Sequence, residues 1–195
     1  MTYIGRFAPS PTGPLHFGSL ITAVASYCDA KANQGTWLVR IEDTDIPRIY
    51  PNSESHILDC IDAFEFEPDA DIIFQKNRLD LYEDVLEQLK QAQQIYACEC
   101  TRKQLGSNHI YVGTCRDLHL DFSNQAIRLK VDDQLICFDD LLQGRQCSNL
   151  KNDLGDFVLK RRDGIISYQL AVVVDDYLQG ITHVVRGADL LDNTA

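Results

Sequence analysis

The sequence predicts an α/β protein built around a parallel β-sheet. A short apolar strand over Tyr3 to Ala8 is followed by a loop rich in proline, a helix from Ser19 and a second apolar strand over Trp37 to Ile41. Strand, loop, helix and strand within about 40 residues form a βαβ unit, which favours parallel pairing. With 45% hydrophobic and 24% charged residues, the composition is that of a globular protein rather than a disordered or fibrous one.

The remaining elements follow in order along the chain. Ser19 is the predicted N-cap of the first helix, and Gly35 lies beyond its end. The spacing of apolar residues then predicts amphipathic helices over Asn52 to Phe64 and Arg78 to Gln91. The predicted strands and apolar stretches after them cover Ala126 to Val131, Leu135 to Phe138, Phe157 to Lys160, Tyr168 to Val174 and Ile181 to Val185.

The sequence pattern changes near Tyr96 and again near Asp156. The segment between them has closely spaced cysteines and short predicted strands. This pattern is typical of an insertion into an α/β body. We therefore expect residues 1–95 and 157–195 to form the two halves of one domain, and residues 96–156 to form the insertion.

The charge balance narrows the classes of function. The 29 acidic residues outnumber the 18 Lys and Arg residues, for a formal charge of −11. Such a chain is a poor candidate for sequence-blind nucleic-acid coating, which needs a dense cationic surface. There is no secretory signal pattern and no apolar run of about 18 residues, so we expect a cytoplasmic protein without a membrane partner and with reduced thiols.

The segment Arg6 to Ser19, RFAPSPTGPLHFGS, carries the strongest chemical signal. Gly18 would let a planar or phosphate-bearing ligand approach the backbone, and the start of the helix attracts phosphate. His16 could donate to a phosphate oxygen as charge builds there. An isolated His-x-Gly would be interpreted as an ordinary loop, but a string of this length favours phosphate chemistry.

The cysteines form a second constellation. Cys98 and Cys100 stand two residues apart and Cys115 supplies a third thiol, so the three could share a tetrahedral metal ion with one position open. His109 or Tyr111 could fill that position, and general chemistry favours the histidine. The alternative is that these are buried thiols without a metal. The other cysteines lack paired spacing and are predicted to be core or partly exposed residues: Cys28, Cys60, Cys137 and Cys147.

Three further blocks stand out beside Arg6 to Ser19: Arg40 to Asp45 (RIEDTD), Tyr168 to Asp176 (YQLAVVVDD) and Val185 to Leu190 (VRGADL). Together the four blocks resemble the class I glutamyl-type aminoacyl-tRNA synthetases, whose His-Ile-Gly-His motif appears here as HFGS. The resemblance implies a Rossmann-type class I catalytic domain with a small zinc-binding α+β insertion. It also implies condensation of L-glutamate with ATP, as its Mg²⁺ complex, to glutamyl-adenylate.

The resemblance further implies which residues form the site. The catalytic residues would be His16, Gly18 and Ser19, and these with Pro9 would bind ATP. The glutamate pocket would comprise Arg6, Phe7, Ala8, Pro9, Ser10, Glu42, Tyr168 and Arg186. Glu42 could neutralise an α-ammonium group, while Arg6 and Arg186 could hold the side-chain carboxylate and reject glutamine. Taken singly, Glu42 could belong to a solvated acidic turn and Arg186 to a surface ion pair.

Within the family, the insertion resembles that of a short branch which attaches glutamate to the queuosine base at the wobble position of tRNA(Asp), after activation without tRNA. This resemblance implies one structural Zn²⁺ held by Cys98, Cys100, Tyr111 and Cys115. The expected partners are L-glutamate, ATP and queuosine-containing tRNA(Asp), and we expect a monomer. The second class I signature, Lys-Met-Ser-Lys-Ser, is absent, so we expect a chain cut before it.

Three other interpretations stay open. The chain could be a fragment of a glutamyl-tRNA synthetase that charges tRNA(Glu), or a catalytically silent binding module of the same fold. A nucleotidyltransferase sharing the His-x-Gly loop is disfavoured, because the charged residues of the predicted glutamate pocket would then have no common task.

Overall fold

The computed structural model describes residues 2–101, 104 and 110–195. The chain divides into two compact units, Met1–Tyr82 with Tyr168–Asp189 and Glu83–Ser167 with Leu190–Ala195. Among the described residues, no helix has both the length and the apolar character needed to cross a membrane.

The first unit contains a four-stranded parallel sheet. Its strands are β1 (Ile4–Phe7), β2 (Thr36–Ile41), β3 (Ile73–Phe74) and β9 (His183–Val184), in the order β3-β2-β1-β9. Every adjacent pair is parallel, so the predicted βαβ unit and parallel sheet are confirmed. The strand order reverses direction at β1, and ligands of open α/β sheets bind at the carboxyl ends of strands beside such a point.

The α-helices whose full extent lies within the described residues are α1 (Phe17–Ala32), α2 (Ser53–Ala63), α3 (Leu79–Gln91), α4 (Leu150–Asp153) and α5 (Tyr168–Leu178). Short 3-10 turns cover Ile46–Arg48, Gln75–Arg78 and Ala188–Asn193. The prediction that Ser19 caps the first helix is wrong. His16 is the N-cap, because its Nδ1 accepts a hydrogen bond from the backbone N–H of Ser19 at 3.2 Å.

The core of the first unit is built on β2. Trp37 is fully buried and packs against Phe7 and the edge of the Tyr27 ring. Its indole N–H donates to Ser26 Oγ at 3.0 Å, which satisfies the one polar atom of the side chain. Ile57 and Ile61 of α2 complete this cluster together with Ala23 and Ala30 of α1, so the apolar side of the helix predicted over Asn52 to Phe64 does pack in the core of the sheet.

The second unit contains an antiparallel sheet in the order β4-β5-β8 and a separate hairpin. The sheet strands are β4 (Ile95–Cys98), β5 (Ala126–Leu129) and β8 (Val158–Lys160), and the hairpin strands are β6 (Leu135–Asp140) and β7 (Gly144–Asn149). A disulfide joins Cys137 to Cys147 across the hairpin, so the prediction that they are unpaired, reduced thiols is wrong. The antiparallel register sets the two residues directly opposite one another, which their spacing in the sequence does not reveal. Cys28 is exposed and Cys60 half-buried.

Candidate active site and metal centre

The loop that follows β1 is tied to the segment that follows β2. The backbone N–H of Glu42 donates to the Pro9 carbonyl at 2.9 Å. The Pro11 carbonyl accepts from Ser53 Oγ at 2.6 Å. Pro9 and Pro11 are buried whereas Ser10 is exposed, so the proline-rich loop is a packed part of the unit with one polar side chain facing out. The bond between Glu42 and Pro9 brings the block Arg6 to Ser19 beside the block Arg40 to Asp45, at the carboxyl edge of the sheet.

Four residues predicted for the glutamate pocket share one electrostatic environment. Arg6 and Glu42 are buried, with 4% and 9% of their surface exposed. Burial raises the pKa of the Tyr168 hydroxyl and the charge of Glu42 raises it further, while the charges of Arg186 and Arg6 oppose the rise. Tyr168 also shares a side-chain hydrogen bond with Arg186. Two cations, one anion and a phenol from distant parts of the chain therefore lie within electrostatic reach of one another.

Ionisation of the Glu42 carboxyl group is opposed by its burial. Burial raises the pKa of its carboxyl group, and the guanidinium groups of Arg40 and Arg6 lower it without cancelling the effect of burial. A further cation placed beside Glu42 would favour its ionised form. Such a carboxylate is suited to bind an ammonium group in a site from which water is excluded.

Sequence reasoning missed two residues that complete this cluster. Arg40 is fully buried, and its Nη2 lies 3.0 Å from Glu42 Oε1. Its Nη1 lies 2.7 Å from Asp176 Oδ1, and the same carboxylate oxygen lies 3.3 Å from Arg6 Nε. The available signal was an arginine within the otherwise apolar strand TWLVRI, since a buried cation needs a partner.

The neighbouring Asp175 is also completely buried and anchors α5. Its Oδ2 accepts hydrogen bonds from Gln75 Nε2 at 2.8 Å and from the Tyr82 hydroxyl at 2.7 Å. Its Oδ1 accepts from Arg78 Nε at 2.8 Å. Because α5 carries Tyr168 at its first turn, these bonds hold in place the helix that supplies the phenol.

His16 and Gly18 form the start of α1. Since Nδ1 of His16 accepts from the Ser19 backbone, the proton of the neutral imidazole belongs on Nε2, where it can be donated to a ligand. A Cβ atom at Gly18 would lie 3.0 Å from Cε1 of His16. A side chain at position 18 would therefore push the imidazole by a few tenths of an ångström. His16 is exposed, as a residue that meets a ligand must be.

The second unit gathers the predicted metal ligands. The Sγ atoms of Cys98, Cys100 and Cys115 lie within 4.8 Å of one another. The Tyr111 hydroxyl lies 3.4 Å from both Cys98 Sγ and Cys100 Sγ, and it accepts a hydrogen bond from the Cys115 backbone N–H at 3.0 Å. His109, the alternative fourth ligand, lies outside the described residues.

This donor set fits zinc. Ligands at Zn–S distances near 2.3 Å around a tetrahedral ion lie about 3.8 Å apart, and Cys100 Sγ and Cys115 Sγ lie 3.4 Å apart. The backbone of Gly155 lies directly against the backbone of Tyr111. A Cβ atom at Gly155, where φ is +72°, would lie 2.3 Å from the Tyr111 carbonyl oxygen, so this contact requires glycine. The Arg128 guanidinium lies 3.9 Å from the centre of the Tyr111 ring, a cation–π contact that places a positive charge beside the donor set.

Comparisons with known proteins identify the family of this chain. Residues 4–195 match the family described as tRNA synthetases class I (E and Q), catalytic domain. The chain is 80% identical to a curated protein of Acinetobacter baylyi and 53% identical to one of Cupriavidus metallidurans, both named glutamyl-Q tRNA(Asp) synthetase. Each alignment covers 98% of this chain but 66% of the relative, so the chain spans about two thirds of their length.

A solved structure is also similar. The crystal structure of a glutamate tRNA ligase from Elizabethkingia meningosepticum, in complex with its amino acid, superposes with a TM-score of 0.86 at 31% sequence identity. The match covers 99% of this chain and 45% of that protein.

Proposed function

This chain belongs to the family of class I tRNA synthetases for glutamate and glutamine, as its four sequence blocks predict, and from that membership we propose that it is the glutamate-activating part of an enzyme. The enzyme condenses L-glutamate with ATP to glutamyl-adenylate without tRNA, and then transfers glutamate to the queuosine base at the wobble position of tRNA(Asp). The observation that carries the activation step is the shared environment of Arg6, Glu42, Tyr168 and Arg186. The names of the relatives at 80% and 53% identity support the choice of acceptor.

Three charged side chains of the pocket recognise glutamate. Glu42 neutralises the α-ammonium group, and Arg6 and Arg186 donate to the side-chain carboxylate. Tyr168 adds a hydroxyl donor, and the segment from Phe7 to Ser10 lines the pocket with its backbone at Phe7, whose side chain packs against Trp37 in the core. An amide in place of the side-chain carboxylate leaves buried guanidinium donors without an anion, so glutamine binds poorly.

The reaction at phosphorus requires positioning and charge stabilisation rather than a covalent enzyme intermediate. An oxygen of the glutamate α-carboxylate attacks the α-phosphorus of ATP, a new P–O bond forms, and the bond to the departing pyrophosphate breaks. His16 donates its Nε2 proton in a hydrogen bond to a phosphate oxygen, and the first N–H groups of α1 face the same charge. ATP enters as its Mg²⁺ complex, which neutralises part of the phosphate charge. We place the reaction in the cytoplasm.

Pyrophosphate exchange into ATP tests the activation step. The intact protein should exchange pyrophosphate in the presence of glutamate, and not with glutamine or aspartate, when no tRNA is added. The Arg186→Gln variant should lose glutamate-dependent exchange, whereas Arg161→Gln, which alters an exposed ion pair with Asp163, should keep it. Absence of exchange by the intact wild-type protein would favour the silent binding module.

A transfer assay identifies the acceptor. Labelled glutamate should appear on tRNA(Asp) that contains queuosine, and not on tRNA(Asp) without that base or on tRNA(Glu). Label found only on tRNA(Glu) would instead identify the chain as part of a glutamyl-tRNA synthetase, the alternative supported by the likeness to the glutamate tRNA ligase structure.

We further propose that residues 96–156 form a zinc-binding insertion in which Cys98, Cys100, Tyr111 and Cys115 hold one structural Zn²⁺. A bound Zn²⁺ would cross-link the segment of Cys98 and Cys100 to that of Tyr111 and Cys115. Protein purified without chelator should contain about one zinc per chain. Cys115→Ala should reduce that content, while Cys28→Ala, which alters an exposed thiol of the first unit, should not. A metal-free protein of undiminished stability would exclude the site.

A further inference from the structure

Four charged side chains in the first unit form a continuous chain of opposite charges. It runs from Glu42 through Arg40 and Asp176 to Arg6, with nearest nitrogen–oxygen distances of 3.0, 2.7 and 3.3 Å. Glu42 and Arg6 are the two ends, and both are proposed to touch glutamate. Arg40 and Asp176 lie between them and have no role in the proposed chemistry.

We propose that Arg40 and Asp176 are positioning residues for glutamate, forming a buried bridge that fixes the α-ammonium acceptor Glu42 relative to the carboxylate donor Arg6. The proposal rests on the proposed function and deepens it, because it explains how the pocket sets the distance between the two groups that recognise the ends of glutamate.

The first half of the bridge sets the orientation of Glu42. Arg40 is the penultimate residue of β2 and Glu42 directly follows the strand, so the two side chains are close enough to meet. Arg40 Nη2 donates to Oε1 of Glu42. A lysine at position 40 would keep the charge but lose the planar fork that bonds Glu42 and Asp176 in a fixed geometry.

The second half sets the orientation of Arg6. Asp176 Oδ1 accepts from Arg6 Nε at 3.3 Å and Oδ2 accepts from Arg6 Nη2 at 3.5 Å, a paired contact along one edge of the guanidinium group. The nitrogen that this pair does not use is Nη1. Because Asp176 occupies the Nε and Nη2 edge of Arg6, Nη1 is the donor that the bridge leaves for a substrate carboxylate.

The centre of the bridge is rigid. Arg40 Nη1 also donates to Gln179 Oε1 at 2.7 Å, and Gln179 lies one helical turn after Asp176, at the end of α5. Asp175 fixes the same turn of α5 through its bonds to Arg78 and Tyr82, and its Oδ2 also lies 3.8 Å from Arg40 Nε. The strand that supplies Glu42 and the helix that carries Asp176 are thus locked to each other at this point.

Stability alone is a poor explanation for such a bridge. The desolvation of buried ion pairs offsets their attraction, and well-packed apolar residues of similar volume often give equal or greater stability. Four charges arranged so that both ends meet the same ligand fit a role in geometry.

The test compares Asp176→Asn and Arg40→Lys with the wild type in the intact protein, using pyrophosphate exchange. Ser26→Ala is the matched control, because it removes a buried hydrogen bond to Trp37 in the same unit without touching the bridge. Both bridge variants should raise the KM for glutamate by about 10- to 100-fold, the cost of misplacing one charge-assisted hydrogen bond, and leave the KM for ATP within about twofold. Asp176→Asn should also reduce the preference for glutamate over glutamine. Ser26→Ala should lower the melting temperature and change neither KM.

The outcomes separate the two proposals. Wild-type protein that does not exchange with glutamate refutes the proposed function, and the bridge with it. Wild-type exchange together with variants whose glutamate KM is unchanged refutes the bridge alone. A parallel rise in both KM values, accompanied by loss of thermal stability, would make the bridge a structural feature only. Should Arg40→Lys not fold, Asp176→Asn still decides the question, because the Asp176 side chain is 24% exposed and tolerates replacement by an isosteric amide more readily.

Discussion

Replacing Asp175 by asparagine should destabilise the first unit strongly. The carboxylate is completely buried and accepts from Gln75, Tyr82 and Arg78, all within 2.8 Å. An asparagine has one acceptor oxygen in its side chain. Whichever way the amide is turned, its NH₂ group faces either Arg78 or the pair formed by Gln75 and Tyr82, so donors oppose donors.

The expected cost is about 3–5 kcal/mol, the usual effect of removing one partner of a buried ion pair. With roughly 2–4 °C per kcal/mol for a chain of this size, the melting temperature should fall by about 6 °C or more. A surface pair provides the control: Lys31→Gln removes the bond to Asp69, in which both side chains are about one third exposed, and should cost no more than about 1 kcal/mol.

Urea unfolding of the 195-residue chain, followed by tryptophan fluorescence, measures both variants. Trp37 is the only tryptophan of the sequence and is fully buried in the first unit. Its emission therefore reports the opening of the core around β2. If Asp175→Asn and Lys31→Gln proved equally stable, the idea that Asp175 anchors α5 would have to be abandoned.

Three further predictions concern the two units. Burial raises the pKa of the Glu42 carboxyl group, so the glutamate KM in pyrophosphate exchange should rise as the pH is lowered and this group takes up a proton. A Glu42→Gln variant should have a high glutamate KM that does not change with pH. Gly18→Ala should displace the His16 imidazole and lower kcat by about tenfold or more, with glutamate affinity retained on calorimetry. Burial alone would raise the pKa of Asp156, but the interactions with Arg116, Tyr96 and the Val131 backbone together outweigh it and lower the pKa. Ionised Asp156 therefore contributes stability that is present above its unfolded-state pKa and is lost as the pH falls through its lowered folded-state pKa. Asp156→Asn should remove that acid dependence and cost about 3 kcal/mol at neutral pH, as measured by near-ultraviolet circular dichroism during urea unfolding.

Local patterns predicted most of the elements correctly. The first strand, the helix and the second strand needed only apolar periodicity and punctuation by Pro and Gly, and they form the parallel pair β1–β2. The N-cap of α1 was predicted at Ser19 but is His16. A histidine side chain takes the capping role here, which hydroxyl or carboxamide side chains usually fill. The capping preferences of residue types therefore place a helix only to within a few residues.

The cysteines show where spacing is informative and where it is not. Cys98, Cys100 and Cys115 were grouped correctly as a cluster because the ligands of a small metal site stand close together in the sequence. The sequence did not predict the disulfide between Cys137 and Cys147, because it depends on the register of the two hairpin strands. A shift of one residue would turn the two side chains to opposite faces of the hairpin.

The linear order of residues determined the βαβ unit, the family blocks and the candidate metal ligands, since each depends on neighbours within a short stretch of chain. Only the folded chain decided that Arg6 meets Asp176 across 170 residues, and that Arg40 joins this pair to Glu42. The physical reason is that buried charges are satisfied by whichever opposite charge the packing of strand and helix brings within about 3 Å, and this distance follows from the sheet order and the placement of α5 rather than from any local pattern.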